Sequence, residues 1–252
     1  MKLSVTLAAY NEEKNIGRCL EAVRQLADEI IIVDGESTDK TVSIAKKYGA
    51  KIFSVPNDPI NFHKQKKLAN NKASGDWILQ LDADEVVTPE LLIEIKKKIA
   101  SNPVENGFWI PRANFFLGRF LKKGGAYPDY TLRLYRRGRG DLAAESVHEQ
   151  AVVEGKVGYL KNDLLHFNNP TFSRYIVRLN QYTDSQALKI SGGIFENLFR
   201  NPLFDKNQGF FSIYFRHLGF LDGFPGFIWA LFSALHFPIA YFKKIEKQFV
   251  NN

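Results

Sequence analysis

The chain has 252 residues, 45% of them hydrophobic and 13% aromatic, which is enough for a full core in one large domain or a domain with an appendage. Its single cysteine, Cys19, excludes an internal disulfide framework. The formal net charge of +7 suits an anionic small molecule or a membrane surface. It argues less for nucleic acid, because zinc-knuckle spacings, recognition motifs and long basic runs are missing.

Leu3 to Ala8 reads as a first strand that begins almost at Met1, with no secretory signal pattern, so a cytoplasmic location is expected. Asn11 then suits a helix N-cap, with Glu12 and Glu13 in the first turn, where the helix dipole favours anions. Ile16, Leu20, Val23 and Ala27 recur at helical spacing, and Cys19 within that pattern reads as core. Glu29 to Val33 is a second buried strand ending in Asp34 and the turn Gly35-Glu36-Ser37. A helix opening at Thr38 or Asp39 closes near Gly49, and Ala50 to Val55 forms a third strand. This βαβαβ run predicts a parallel sheet with right-handed crossovers.

His63 to Ala73 is a short basic helix carrying Lys66. The apolar run Trp77 to Leu81 follows and ends abruptly in Asp82-Ala83-Asp84-Glu85. Ligands of open α/β sheets sit outside the carboxyl ends of the strands, where these acids fall. Two carboxylates one residue apart repel each other unless a cation neutralises them, and Mg²⁺ often takes one or two carboxylates plus substrate phosphates. A solvated turn capping the next helix is the alternative. Thr88-Pro89 opens that helix, with Leu92, Ile95 and Ile99 as its buried face.

After Pro103 the texture changes. Gly107 to Pro111 and Thr131 to Tyr135 read as strands flanking an aromatic, glycine-rich stretch. Ala151 to Leu160 suggests a hairpin turning at Glu154-Gly155, Leu164 to Phe167 a strand, and Thr171 to about Ile190 a long helix. From Gly223 to Tyr241 there is no Asp, Glu, Lys or Arg, but Pro225, Gly226, His236 and Pro238 interrupt the stretch. A spanning helix needs roughly 20 apolar residues. A helix lying in the membrane interface is therefore expected, with a helix pair packed on the protein as the alternative.

Three stretches resemble the opening motifs of family 2 glycosyltransferases: Thr6 to Glu13, Ile32 to Thr41 and Leu81 to Glu85. Gly124 to Tyr130, Leu132 to Arg137, Val147-His148-Glu149 and Gly219 to Gly223 are similar to a narrower group, the lipopolysaccharide core β-1,4-glucosyltransferases. The resemblance implies an α/β GT-A fold, Rossmann-like with a mostly parallel sheet, and a C-terminal helical tail rich in aromatic residues. A catalytic domain is expected over 1–205 (nucleotide-binding half 1–105, acceptor half 106–170, helical part 171–205), and the apolar composition of 206–252 gives a hydrophobic helical region expected to associate with a membrane.

The implied activity is inverting, metal-dependent transfer of a hexose, glucose by the subgroup, from a UDP-sugar to a lipopolysaccharide-core or lipid-linked glycan at the inner face of the cytoplasmic membrane. Ala8, Tyr10, Glu12, Asp34, Lys66, Asp82, Ala83 and Gly125 would bind the donor. Asp84 and His166 would hold a divalent cation, Mg²⁺ or Mn²⁺, and Glu149 would be the catalytic base. Asp129, Arg133, Arg136 and His148 are acceptor-side candidates. Plainer readings stand beside these: Asp34 capping its own turn, Glu149 paired with an arginine, His166 as a core residue. A non-catalytic nucleotide-sugar or glycan-binding protein is the other functional reading. No nucleic-acid partner is expected.

Overall fold

The computed structural model describes residues 1–58, 62–142, 151–190 and 209–250. The chain divides into two compact units, Met1–Arg112 with Asp129–His166, and Ala113–Pro128 with Phe167–Asn252.

The first unit is built on a sheet. β1 (Leu3–Ala9), β2 (Glu29–Asp34), β3 (Lys51–Ser54) and β4 (Trp77–Asp82) are its parallel part, ordered β3-β2-β1-β4. α1 (Ile16–Val23), α2 (Thr41–Lys47) and α3 (Phe62–Asn71) are the crossovers. β1 is buried at every residue, as expected of a strand covered on both faces. Two apolar clusters account for this. One joins Ile16, Cys19, Leu20 and Val23 of α1 to Leu3, Val5, Leu7, Trp77 and Leu79. The other packs Ala69 of α3 against Ile31, Val33 and Ile78.

Beyond β4 the sheet turns antiparallel. β5 (Glu85–Val87) follows a two-residue turn, and Thr88 then caps α4 (Pro89–Ala100), its Oγ1 accepting from Leu91 N at 3.2 Å. The buried face of α4 is Leu91, Ile95 and Ile99, with Leu92 packed only in part. β6 (Gly107–Phe116) and β8 (Asp129–Arg136) are long antiparallel strands, and β8 pairs with β4. β12 (Leu164–Asn169) pairs with β5 and sets His166 opposite Glu85.

Local expectations fail at several places in this unit: α4 buries Leu91 rather than Leu92, and α2 opens at Thr41 rather than at Thr38 or Asp39. Asn11 does not cap α1, which starts at Ile16 after Asn15. Asn11 adopts φ +53, which asparagine tolerates, and its Oδ1 accepts from Thr38 N at 2.9 Å, tying the loop after β1 to the loop after β2. The segment 151–160 keeps its turn but is not a hairpin. β10 (Ala151–Val153) pairs with β9 (Gly140–Leu142), and β11 (Val157–Tyr159) runs parallel to β6. Asn106 holds the turn from outside, donating from Nδ2 to Glu154 O and from N to Lys156 O. Strands of three residues gain more from these neighbours than from each other.

The second unit holds the ends of β6 and β12, joined where Leu117 N donates to Asn169 O at 3.0 Å, with β7 (Arg119–Phe120) folded back on β6. Its helices are α5 (Phe172–Lys189), capped by Thr171, and α6 (Gly223–Val250). Phe116, Leu121, Ala126, Tyr175 and Ile228 form the core. α6 runs unbroken for 28 residues. Pro225 lies in its first turn, where a missing N–H costs nothing, and Pro238 is absorbed in the interior.

Candidate active site

Strand register aligns the acidic ends of β2 and β4. Ala8 pairs with Asp82 on one side of β1, and Ala9 with Asp34 on the other. With strands about 4.8 Å apart, Asp34 and Asp82 flank the end of β1 at a backbone spacing of about 10 Å. The rim therefore collects Ala8, Tyr10, Asp34, Asp82 and Ala83 in one place. Ala8 and Ala83 are buried, and Tyr10 is 40% exposed. Glu12 is fixed beside them, its N donating to Thr41 Oγ1 at 2.7 Å and its Oε2 accepting from Asn15 Nδ2 at 2.6 Å.

Asp34 is buried, and both its oxygens are engaged within its own turn. Oδ1 accepts from Ser37 Oγ at 2.6 Å and Oδ2 from Ser37 N at 2.9 Å. The capping role and the rim position coexist in one residue.

Asp82 is neutralised by the protein itself. Lys66 of α3 meets Oδ1, and Arg133 Nη2 donates to Oδ2 at 2.6 Å. Burial would raise its pKa, but Arg133 and Lys66 outweigh burial and hold the carboxyl well below the ordinary range. Arg133 itself is buried and shares the same Nη2 with Glu85 Oε1 at 2.9 Å. Burial works against its charge, yet Asp82 and Glu85 raise its pKa further. Arg112 extends the network, reaching Glu85 at 3.2 Å and donating from Nε and Nη2 to Asp129 Oδ2 at 2.9 and 2.7 Å. Glu85 Oε2 closes the loop by accepting from Asp82 N at 2.9 Å.

Asp84 stands in the turn between β4 and β5, 6% exposed, with its Oδ1 3.4 Å from His166 Nε2. The β5–β12 register is what brings this histidine in. Arg18 of α1 lies in the field of Asp84: burial lowers its pKa while Asp84, Cys19 and Glu12 work the other way. Cys19 is buried beneath the site, and burial together with Glu85, Asp84 and Asp82 pushes its thiol up, as for an inert core cysteine.

Among the described residues no cluster of three or more His, Cys, Asp or Glu side chains is arranged to hold a metal ion. Asp84 with His166 supplies two candidate ligands. That number fits a divalent ion completing its shell from substrate phosphates.

The remaining candidates are Arg136, Gly125, His148 and Glu149. Arg136 lies at the opposite end of β4, its guanidinium 4.8 Å over the Trp77 ring and its Nη2 on Pro103 O. Gly125 belongs to the second unit, where Gly124 and Gly125 take φ +64 and +69, a conformation that excludes most side chains. His148 and Glu149 fall outside the described residues. Arg112 and Arg18 went unnoticed in the sequence; the acids that Arg112 meets, Glu85 and Asp129, are distant in the chain. Glu85 did carry a signal, as the third acid of a run closing an apolar strand.

Comparison with known proteins agrees with this geometry. The family described as Glycosyl transferase family 2 matches residues 4–142. The lipopolysaccharide core biosynthesis glycosyltransferase LpsC of Rhizobium meliloti is 30% identical over 94% of this chain and 89% of its own length. An uncharacterised glycosyltransferase of Rickettsia typhi is 29% identical over 98% of the chain and 86% of its own. Among solved structures, S. aureus TarS 1–349 in complex with UDP-GlcNAc superposes with a TM-score of 0.53 at 21% identity, covering 98% of this chain and 89% of that one. At that identity the likeness speaks for the fold alone. With acids at the carboxyl ends of a parallel sheet, a family match over more than half its length and a full-length relative at 30% identity, the chain belongs to glycosyl transferase family 2, an enzyme that transfers sugars on a GT-A fold.

Proposed function

We propose that the enzyme is an inverting hexosyltransferase that moves glucose from UDP-glucose to a lipopolysaccharide-core or related envelope glycan. The observation carrying this reading is the registered row of Ala8, Asp34 and Asp82 with Asp84 and His166 beside it. LpsC, whose name places it in lipopolysaccharide core biosynthesis, supports the acceptor class, and TarS, solved with UDP-GlcNAc, supports a UDP-linked donor.

In this reading Ala8, Tyr10, Glu12 and Asp34 hold the uridine end of the donor, and Asp82 accepts from its ribose hydroxyls. Lys66, Arg133 and Glu85 fix the Asp82 carboxylate in place, so it is preorganised before the donor arrives. Asp84 and His166 would hold a divalent cation, which when bound offsets charge on the departing diphosphate. The acceptor oxygen bonds to the anomeric carbon as the bond to the diphosphate breaks. Glu149 takes the hydroxyl proton, and one displacement converts an α-linked donor into a β-glycoside. Gly125 is assigned to the donor sugar, and Asp129, held by Arg112, and His148 to the acceptor. Arg133, given over to Asp82 and Glu85, positions rather than contacts. Transfer takes place at the inner face of the cytoplasmic membrane. The stretch Gly219–Phe249, long and apolar enough by length and composition for a membrane, supports that location.

Donor turnover with lipopolysaccharide-core acceptors, read by mass spectrometry, tests the proposal. Asp84→Ala and Glu149→Ala are each expected to lower kcat by about 10² or more. Near-parent turnover by Glu149→Ala sinks the base assignment, and preference for another donor sinks glucose.

A further inference from the structure

The segment 210–227 of the second unit is not explained by donor or acceptor chemistry. A π-helical turn, Ser212–Arg216, and a 3₁₀ turn, Gly219–Asp222, lead into α6. Ile213 turns into the core, but most of the apolar side chains around it do not. Phe211, Phe215, Leu218, Phe220, Leu221 and Phe224 are exposed, from 40% at Phe211 to 69% at Phe224. The rings form one connected group: Phe211 stacks on Phe215 at 5.8 Å, and Tyr214 touches Phe215 and Phe220 at 5.1 and 6.2 Å. A soluble surface rarely carries so much contiguous aromatic area without an occupant.

We propose that this aromatic tip is an interfacial seat for an anionic lipid surface, on which the protein rests without α6 crossing the bilayer. The proposal deepens the membrane location given above and depends on it.

Charge identifies the occupant. From Gly209 to Ile245 the sequence has one acid, Asp222, and it is 2% exposed. Its Oδ2 accepts from Lys122 N and Lys123 N at 3.0 and 2.8 Å, and its Oδ1 lies 3.5 Å from Arg119. Asp222 therefore holds the backbone carrying two exposed lysines close to the tip. Exposed Arg216 and His217 belong to the tip itself. Exposed phenylalanines with adjacent cations and, among the described residues 209–245, no exposed acid fit the headgroup region of an anionic bilayer.

The packing of α6 opposes a spanning role. Phe232 sets its ring on Phe172 and Tyr175 of α5 at 5.5 and 5.8 Å. Near the other end, Lys243 Nζ binds Asp184 Oδ1 at 2.9 Å and Asn180 O at 2.7 Å. Trp229 Nε1 donates to Gly124 O at 3.2 Å. At the start of the helix, a Cβ on Gly226 would clash with Gly219 O, so the tip and α6 are packed backbone to backbone. Insertion of α6 across a bilayer on its own would lose its contacts to α5 and to Gly124. Resting on the surface breaks none.

The test uses the full chain, its parent form against Phe215→Glu/Phe220→Glu/Phe224→Glu, in sedimentation with phosphatidylcholine vesicles and with vesicles containing phosphatidylglycerol. The single variant Phe224→Glu, with unchanged circular dichroism and Tm, guards against misfolding of the triple variant. Expected are salt-sensitive parent binding to the anionic vesicles, release by alkaline carbonate, at least a tenfold loss in the triple variant and a smaller loss in the single one. Parent-like binding by both variants, or retention after carbonate, overturns the seat while leaving the membrane location standing. Equal binding to both vesicle types overturns the anionic preference. No parent binding to any vesicle overturns both seat and location. A parent that is dimeric by light scattering, binds no vesicle and becomes monomeric in the triple variant assigns the face to a second copy instead.

Discussion

Arg133 sits with its guanidinium 2.6 Å from Asp82 and 2.9 Å from Glu85, and all three are largely removed from water. A buried pair of this kind adds little net stability when intact, but removing one partner strands the other's charge. Arg133→Met is therefore expected to cost about 3 kcal/mol, seen as a lower urea midpoint, and to weaken UDP binding through a displaced Asp82. Unchanged stability would mean that Lys66 and Arg112 alone satisfy the two carboxylates. Cys19 illustrates the opposite situation. Its thiol lies 3.7 Å from Asp82 O, and its full burial in the core cluster makes it a packing group under the site.

At the scale of elements, the β4–turn–β5–α4 segment does most to build the site. β4 delivers Asp82, the two-residue turn delivers Asp84, and β5 delivers Glu85 and pairs with the strand bearing His166. Thr88 locks the end of this segment. Its hydroxyl accepts from Leu91 N to cap α4 and donates to Asp163 O at 2.9 Å, just before β12. Thr88→Ala is expected to lower stability by about 1 kcal/mol. Because Asp163 leads into β12, the same change should loosen His166, detectable as faster amide exchange in 164–166. Slowed or unchanged exchange there would separate the cap from the site.

For the whole molecule, carboxylates with lowered pKa set the response to acid. Glu29 is the clearest: burial would raise its pKa, but Lys51, Ser4 and Ser74 bring it from 4.5 to about 2. A folded-state pKa below the unfolded one gives stability that is complete above the unfolded value and lost as pH falls towards the folded one. Asp82 has the same sign. Urea unfolding should therefore be nearly flat from pH 7 to 5 and weaken below about 4.5, with Glu29 contributing about 2 kcal/mol by pH 2. Glu29→Gln should flatten part of that slope. Stability that rises on acidification to pH 3 would contradict the assignment.

What the sequence determined by itself is local or repetitive. Apolar runs ending in Asp34 and Asp82, helical spacing through Ile16, Leu20 and Val23, and Thr88-Pro89 all state their roles within a few residues, so the parallel sheet and its acidic rim were legible. The tertiary structure decided which charges meet. Arg133 turns inward to Asp82 and Glu85 while Arg136, three residues on, goes to Trp77 at the far end of β4. It also decided that β10 and β11 take different partners, that Asn11 ties two loops, and that α6 runs through Pro238. The reason is sequence distance. Arg112 reaches an acid 27 residues before it and another 17 after it, and only strand order and register bring such groups within hydrogen-bonding reach.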